Sequence, residues 1–277
     1  MAATKLGQSR WYTDRQSAKD FFMVDSSIST KDDRIDGMIA AASRWIEDFT
    51  RRRFIPTTAT KEFDYAGPGL IWLNDDLLAV TSIKYGDQAD HTIPATDYFL
   101  YPANALDDDR PYTHVEVNLT QDMISYKDTP QQDIQVVGKW GYSELSRVHS
   151  TLNEAGFTAT DTTMTVASGT DFQIGHTLLV DTEQMWVSNK ATNDLTVTRG
   201  VNGTTGATHS NGANVSIIRP PANIEFACQA LVARWIHRGD SAWADRVGSS
   251  EMGYTYMGDV PGEVREVLLR YRRVDLI

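Results

Sequence analysis

The chain holds one cysteine in 277 residues, no apolar run approaching the roughly eighteen residues that a membrane-spanning helix takes, and no signature motif of a catalytic centre. One cysteine rules out an intramolecular disulfide and a cysteine-based zinc site. It is Cys228, on the apolar side of a helical pattern, where a free thiol packs as a small hydrophobe. The opening MAATKLGQSRW has no apolar stretch of the kind a secretory signal carries. A protein of the cytoplasm, with no membrane partner, is therefore expected, and the sequons at Asn118 and Asn202 are expected to carry no sugar.

Catalytic patterns are equally scarce. Gly248-Ser-Ser-Glu-Met252 fails as a nucleophile elbow at its last position, and H-E-x-x-H, a Walker loop and G-x-G-x-x-G are missing. His91, His114, His149, His176, His209 and His237 are scattered without metal-ligand spacing. The acid pairs Asp32-Asp33 and Asp75-Asp76 are sequence neighbours, and the first suits a helix start. Asp107-Asp108-Asp109 lacks the alternating ligands and glycine of a calcium loop and reads as a solvated turn. The expectation is a protein that is not an enzyme, with no catalytic residues, no metal and no cofactor.

Basic charge is scarce in one region. The formal net charge is −11, made of +2 over residues 1–60, −10 over 61–146, +1 at Arg147, −4 over 148–218 and zero over 219–277. An acidic surface repels a phosphate backbone, so the middle of the chain is not expected to hold DNA. Solubility alone would favour the same surface.

Two amphipathic helices stand out. Ile35, Met38, Ile39, Ala42, Trp45, Ile46 and Phe49 recur at steps of three and four, as do Ile224, Ala227, Cys228, Leu231, Val232, Trp235 and Ile236. Only that spacing stacks side chains on one side of a 3.6-residue period. Trp45 and Trp235 are the expected core anchors. The first helix opens at Ser29 or Thr30, with Thr30-Lys-Asp-Asp33 resembling a capping box, and closes in Arg51-Arg52-Arg53. Those arginines suit the helix dipole, an anionic neighbouring subunit or a phosphate. Residues 1–28 read as an N-terminal arm or short leading element.

Between the helices the pattern changes to strands. Residues 61–65, 70–73, 78–85, 97–101, 113–118 and 133–140 alternate between turn signals such as Gly67-Pro68-Gly69 and Gly86-Asp87, predicting a small antiparallel sheet for the helices to cover. Residues 148–218 differ in kind: rich in Thr, Gly, Asn, Ala and Ser, with alternating runs at 164–167, 177–180, 185–188, 195–198 and 214–218. Since Gly141-Tyr142 and Pro220-Pro221 would join sheet to helix directly, this stretch is read as an all-β domain inserted into a loop. The predicted class is α+β: a helical core of long amphipathic helices packed with a small antiparallel sheet over 29–147 and 219–277, plus the inserted all-β domain at 148–218.

Ile35-Asp-Gly-Met-Ile-Ala-Ala-Ala-Ser-Arg-Trp-Ile-Glu-Asp-Phe-Thr-Arg-Arg-Arg-Phe54 resembles the opening helix of the tailed-bacteriophage head-to-tail connector (portal adaptor) family. Val136-Val-Gly-Lys-Trp-Gly-Tyr142 is similar to that family's last strand, and Pro220 to Arg238 to its following helix. Glu183-Gln-Met-Trp-Val and Leu195-Thr-Val-Thr-Arg-Gly-Val-Asn-Gly-Thr204 resemble small β modules of phage virion proteins. The resemblance implies a structural virion protein of the viral neck, assembled in the host cytoplasm. It would form a ring, commonly twelvefold, beneath the portal protein and join the head to a tail, stopper or tail-terminator protein, while DNA passes through the channel without specific binding during genome ejection. Arg51, Arg52 and Arg53 against the acidic middle are then the candidate subunit interface. An alternative is a host-surface or carbohydrate-binding virion or baseplate protein using the inserted domain, with Trp186 as a platform.

The C-terminal segment adds a last candidate. After a stretch through Ser241, Gly248, Ser249, Ser250 and Gly253 that reads as loose, disordered or extended, Asp259-Val-Pro-Gly-Glu263 restarts a helix. Val264, Val267, Leu268 and Tyr271 follow at helical spacing, with Arg265, Arg270, Arg272 and Arg273 alongside. Such a helix docks into a groove on another protein or folds back on its own core. The resemblance implies that it reaches the portal, which makes these eight residues the candidate portal-docking set.

Overall fold

The computed structural model describes residues 10–22, 30–86, 91–105, 107–121, 124–125, 129–240, 246–249, 253–256 and 260–273. Its contacts divide the chain into two compact units: Met1–Arg51, Leu145–Val201 and Thr205–Ile277 form one, and Arg52–Glu144 with Asn202–Thr204 the other.

The second unit is a six-stranded antiparallel sheet of β1 (Thr57–Phe63), β2 (Leu70–Tyr85), β3 (His91–Ile93), β4 (Tyr98–Tyr101), β5 (Tyr112–Val117) and β6 (Ile134–Trp140). Strand order is β1-β6-β2-β5-β4, with β3 pairing on β2. Alternation places Ile134, Val136 and Trp140 of β6 inward, where Phe63, Ile71, Leu77, Ile83 and Val115 complete a core. Two expected strands, 70–73 and 78–85, are one. The register shifts between Trp72 and Leu77, so Asn74-Asp75-Asp76, which reads as a break, is accommodated as an irregularity within β2. Buried Asp76 is held there by the Arg52 guanidinium at 2.5 Å. The tip Asn202–Thr204 belongs with this sheet: the Thr58 N–H donates to the Asn202 carbonyl at 2.9 Å.

The first unit combines four helices with a second six-stranded antiparallel sheet. Its strands are β7 (Leu145–Thr151), β8 (Thr163–Thr165), β9 (Thr177–Val180), β10 (Glu183–Ala191), β11 (Asp194–Thr198) and β12 (Asn214–Arg219), ordered β7-β12-β9-β10-β11-β8. Two-residue turns join β9 to β10 and β10 to β11, with Asp181 (φ 52) and Thr192 (φ 55) in the left-handed region that tight hairpins use. Phe157, Met164, Phe172, Leu178, Met185, Leu195 and Ile217 fill its interior.

The helices are α1 (Arg15–Phe21), α2 (Asp32–Thr50), α3 (Ala222–Asp240) and α4 (Gly262–Tyr271). α2 and α3 pack through Ile35, Ile39, Ala42 and Ile46 on one side and Ile224, Ala227, Cys228 and Leu231 on the other, all buried. Cys228 lies 3.6 Å from the Ser43 hydroxyl, and burial pushes its thiol up to about 12. No described helix is long and apolar enough to cross a membrane.

Two expectations are corrected. Among the described residues the fold is mostly β, two six-stranded sheets and a two-stranded one with four helices, rather than a helical core dressed by a small sheet. The reason is physical: each sheet buries its own apolar cluster, so neither serves as a mere cover for helices. The capping box does not form either. Lys31 is the N-cap of α2 and makes no side-chain capping bond, and Asp32 pairs with Lys19 at 2.5 Å and Arg15 at 3.2 Å; Ser29 lies outside the described residues. The stretch after α3, read as disordered or extended, contains an extended antiparallel pair, β13 (Arg246–Ser249) with β14 (Gly253–Tyr256); Ser241, Ser250 and Asp259 lie outside the described residues.

Candidate interaction surfaces and their buried supports

Residues 11–14 bolt the helices to the second sheet within the first unit. Tyr12 is fully buried; its amide donates to the Ser43 hydroxyl at 3.0 Å and its own hydroxyl to Glu47 at 2.7 Å. Trp11 meets Trp186 edge to face at 5.4 Å. Asp14 caps α1 by accepting from the Ser17 amide at 2.9 Å, and its other oxygen takes a bond from His176 Nε2 at 3.2 Å. The Gln173 amide donates to His176 Nδ1 at 3.1 Å, which leaves Nε2 as the donor toward Asp14. Burial alone would raise the Asp14 carboxyl; the hydrogen bonds from His176 and Ser17 outweigh it and bring the carboxyl down to about 2.

A second buried cluster closes the end of the β-rich module. Glu183 receives both arms of Arg199 at 2.7 Å, the amides of Gly200 at 3.0 Å and Ala207 at 2.9 Å, and faces His209 Nε2 at 2.8 Å. Arg199 also donates to the carbonyls of Thr158, Asp161 and Ala207 and lies 4.2 Å from the Phe157 ring centroid. His209 Nδ1 reaches Asp181 at 2.7 Å. Burial would raise the Glu183 carboxyl, but the Arg199 bond, the amides and His209 carry it down to about 2. An Asp-His-Glu series reads as catalytic until its surroundings are counted. Both Glu183 oxygens are occupied by protein donors and the residue is 1% exposed, so the cluster latches the 199–209 loop onto β10.

The exposed features are of another kind. On β2, β5 and β4 the outward residues align in two rows across the sheet, Trp72–His114–Tyr101 and Leu70–Glu116–Phe99. Trp72 is 47% exposed and Phe99 52%, on the face opposite the buried Ile71, Val115 and Val117. Tyr101 stacks on His114 at 5.3 Å and Trp72 tilts against its other side at 4.8 Å. The strands carrying this patch lie in the acidic part of the chain, where residues 52–144 hold fifteen acidic and seven basic side chains.

A basic corner occurs in the first unit. The Arg273 amide donates to the Thr50 carbonyl at 2.9 Å, holding the C-terminal ends of α2 and α4 together. Arg51, on the left-handed cap of α2, is exposed there with Arg272, whose guanidinium lies 5.9 Å from the Phe49 ring centroid. Along α4, exposed Arg265 and Leu269 share a flank with Arg272 at steps of four and three, and Leu269 is 39% exposed.

The sequence-predicted residues are therefore distributed as follows. Of the arginine triplet, Arg51 is exposed, Arg52 pairs with Asp76 and lies 5.1 Å from the Tyr142 ring centroid, and Arg53 is half-buried with its carbonyl accepting from the Tyr142 amide. Trp45 and Trp235 are half-buried; Trp45 stacks on Phe49 at 5.1 Å, while Ile39, Ile46, Leu231 and Val232 fill the interior. Val264 and Leu268 are buried, for α4 packs on α2 and α3; Val267, Tyr271 and Arg273 are half-buried and Arg265, Arg270 and Arg272 exposed. Trp186 is 9% exposed beside Trp11 and offers no platform.

Sequence reading missed the outward aromatic rows, because alternation marks which residues are inward and leaves the other face unread. The available signal was the aromatics Trp72, Phe99 and Tyr101 at outward positions of strands in an acidic segment.

No family model matches this chain, and no curated protein matches it. Among solved structures it is similar to a chain from the neck of an empty GTA particle computed with C6 symmetry, at 12% identity and a TM-score of 0.45, over 96% of this chain and 92% of that one.

Proposed function

We propose that the chain is a structural subunit of a virion neck, an adaptor that closes on itself as a ring between the DNA-filled head and the tail. The observation that carries this reading is the presence of two unlike exposed surfaces on one chain: an outward aromatic face on an acidic sheet and a basic corner at the ends of α2 and α4. A closed ring is built from heterologous contacts, in which each copy offers one surface to the left and a different one to the right. The helices and strand that resemble the connector family, α2, α3 and β6, form the scaffold that carries them.

In this reading the acidic sheets leave DNA mobile, since a channel wall short of Lys and Arg gives the phosphates nothing to hold. Val264 and Leu268 are taken up by the chain's own helices, so portal contact through α4 falls to Val267 and Arg270 on its other flank. The test is to add purified protein to portal-bearing heads and image them by negative stain. Ring density seated on the portal vertex is expected, and heads that stay bare at saturating protein would refute the assignment.

A further inference from the structure

We propose that the outward face of the acidic sheet is a docking surface for the α4 flank of a second copy of this chain. The inference rests on the ring reading above and names the surfaces that would form its subunit contact. Trp72 and Phe99 are apolar side chains left half in solvent on adjacent rows of one sheet face, with Glu116 between them, its side chain 48% exposed. Water-exposed aromatics of that size, aligned rather than scattered, mark contact surfaces on soluble proteins.

A second copy of the chain is the complementary occupant. The patch combines aromatic rings with a carboxylate, inside a unit whose acids outnumber its bases by fifteen to seven over residues 52–144. What it lacks, the same chain carries elsewhere: Arg265, Leu269 and Arg272 form an exposed flank of α4, one aliphatic knob between two guanidiniums, with Arg51 at its end. Leucine against the aromatic rows buries apolar area on both sides. A guanidinium over Trp72 or Phe99 gains a cation–π contact, and Glu116 offers a carboxylate to arginine. Because the two surfaces differ, the contact is head to tail and each docked copy leaves one of each free for the next, which is the geometry of a ring.

Sedimentation velocity on the full chain over a concentration series tests this, with wild type compared to Trp72→Ser/Phe99→Ser, Leu269→Asp, Glu116→Arg, Arg265→Glu and the Glu116→Arg/Arg265→Glu combination. The expected result is a closed oligomer for wild type that weakens with added salt. The aromatic double variant and Leu269→Asp should need at least roughly tenfold more protein to associate, a difference of about 1.4 kcal/mol. Each charge reversal alone should weaken association and the combined swap should restore it, an outcome that misfolding of a single variant cannot imitate. Rings that form equally well in every variant would overturn this contact and leave the ring reading standing. A wild-type chain that stays a single copy at every concentration would overturn both.

Discussion

The ring of Trp11 occupies the space where a side chain on Gly175 would stand: a Cβ there would come within 2.4 Å of Trp11 Cε3. Gly175 also has a φ of +102, so the backbone and the space both demand glycine. Gly175→Ala should destabilise the first unit by roughly 2 kcal/mol or more, from left-handed strain plus displacement of the indole. Urea unfolding followed by tryptophan fluorescence measures it, and a change below about 0.5 kcal/mol would show that Trp11 is not seated there.

Acid should loosen the same bolt. Asp14 has its carboxyl lowered from about 3.8 to about 2, so the stability it contributes is fully present above pH 3.8 and is lost as pH falls through 2. That lowering of the carboxyl corresponds to roughly 2 to 3 kcal/mol. Asp14→Asn should be less stable than wild type at pH 6, with the difference shrinking between pH 4 and pH 2 on the scale of those same two values. A difference that stays constant across that window would mean that the carboxylate charge is not what His176 and Ser17 hold.

The Glu183 latch should be costly to break from one side. Glu183→Gln or Arg199→Met leaves the other member of a buried pair without its partner, which costs on the order of 3 to 5 kcal/mol. Thermal unfolding of each variant reads this directly. Losses near zero would show that the loop from Arg199 to His209 is held by its turns alone.

Leu268 and Arg265 separate the two sides of α4. Leu268 is fully buried, so Leu268→Ala should lose about 2 to 5 kcal/mol, whereas Arg265→Ser at an exposed position should stay within about 0.5 kcal/mol. Equal effects at the two sites would mean that α4 does not pack on α2 and α3 as described.

Much of the local structure was legible in the amino-acid order. The 3.6-residue recurrence at Ile35, Ile39, Ala42 and Ile46 and at Ile224, Cys228 and Leu231 defines α2 and α3, and alternation marks β6, β9 and β12 within a residue or two. These are properties of spacing, which a neighbour-by-neighbour reading recovers. The end of α2 was legible too, because Arg51 takes up the left-handed cap where the apolar pattern stops.

Tertiary structure decided the rest. Asp14 meets His176 across 162 positions of chain and Trp140 Nε1 meets the Ala59 carbonyl across 81, and no local pattern announces either partner. The overall class was misjudged for the same reason. Whether strands merely line helices or close on a core of their own depends on which inward faces meet, and Phe63, Ile71, Val115 and Val136 meet only once β1, β2, β5 and β6 are paired. The outward rows Trp72–His114–Tyr101 and Leu70–Glu116–Phe99 likewise exist only in the assembled register. Spacing along the chain sets which side of an element is apolar; the meeting of distant elements sets what that side touches and which residues are left facing solvent.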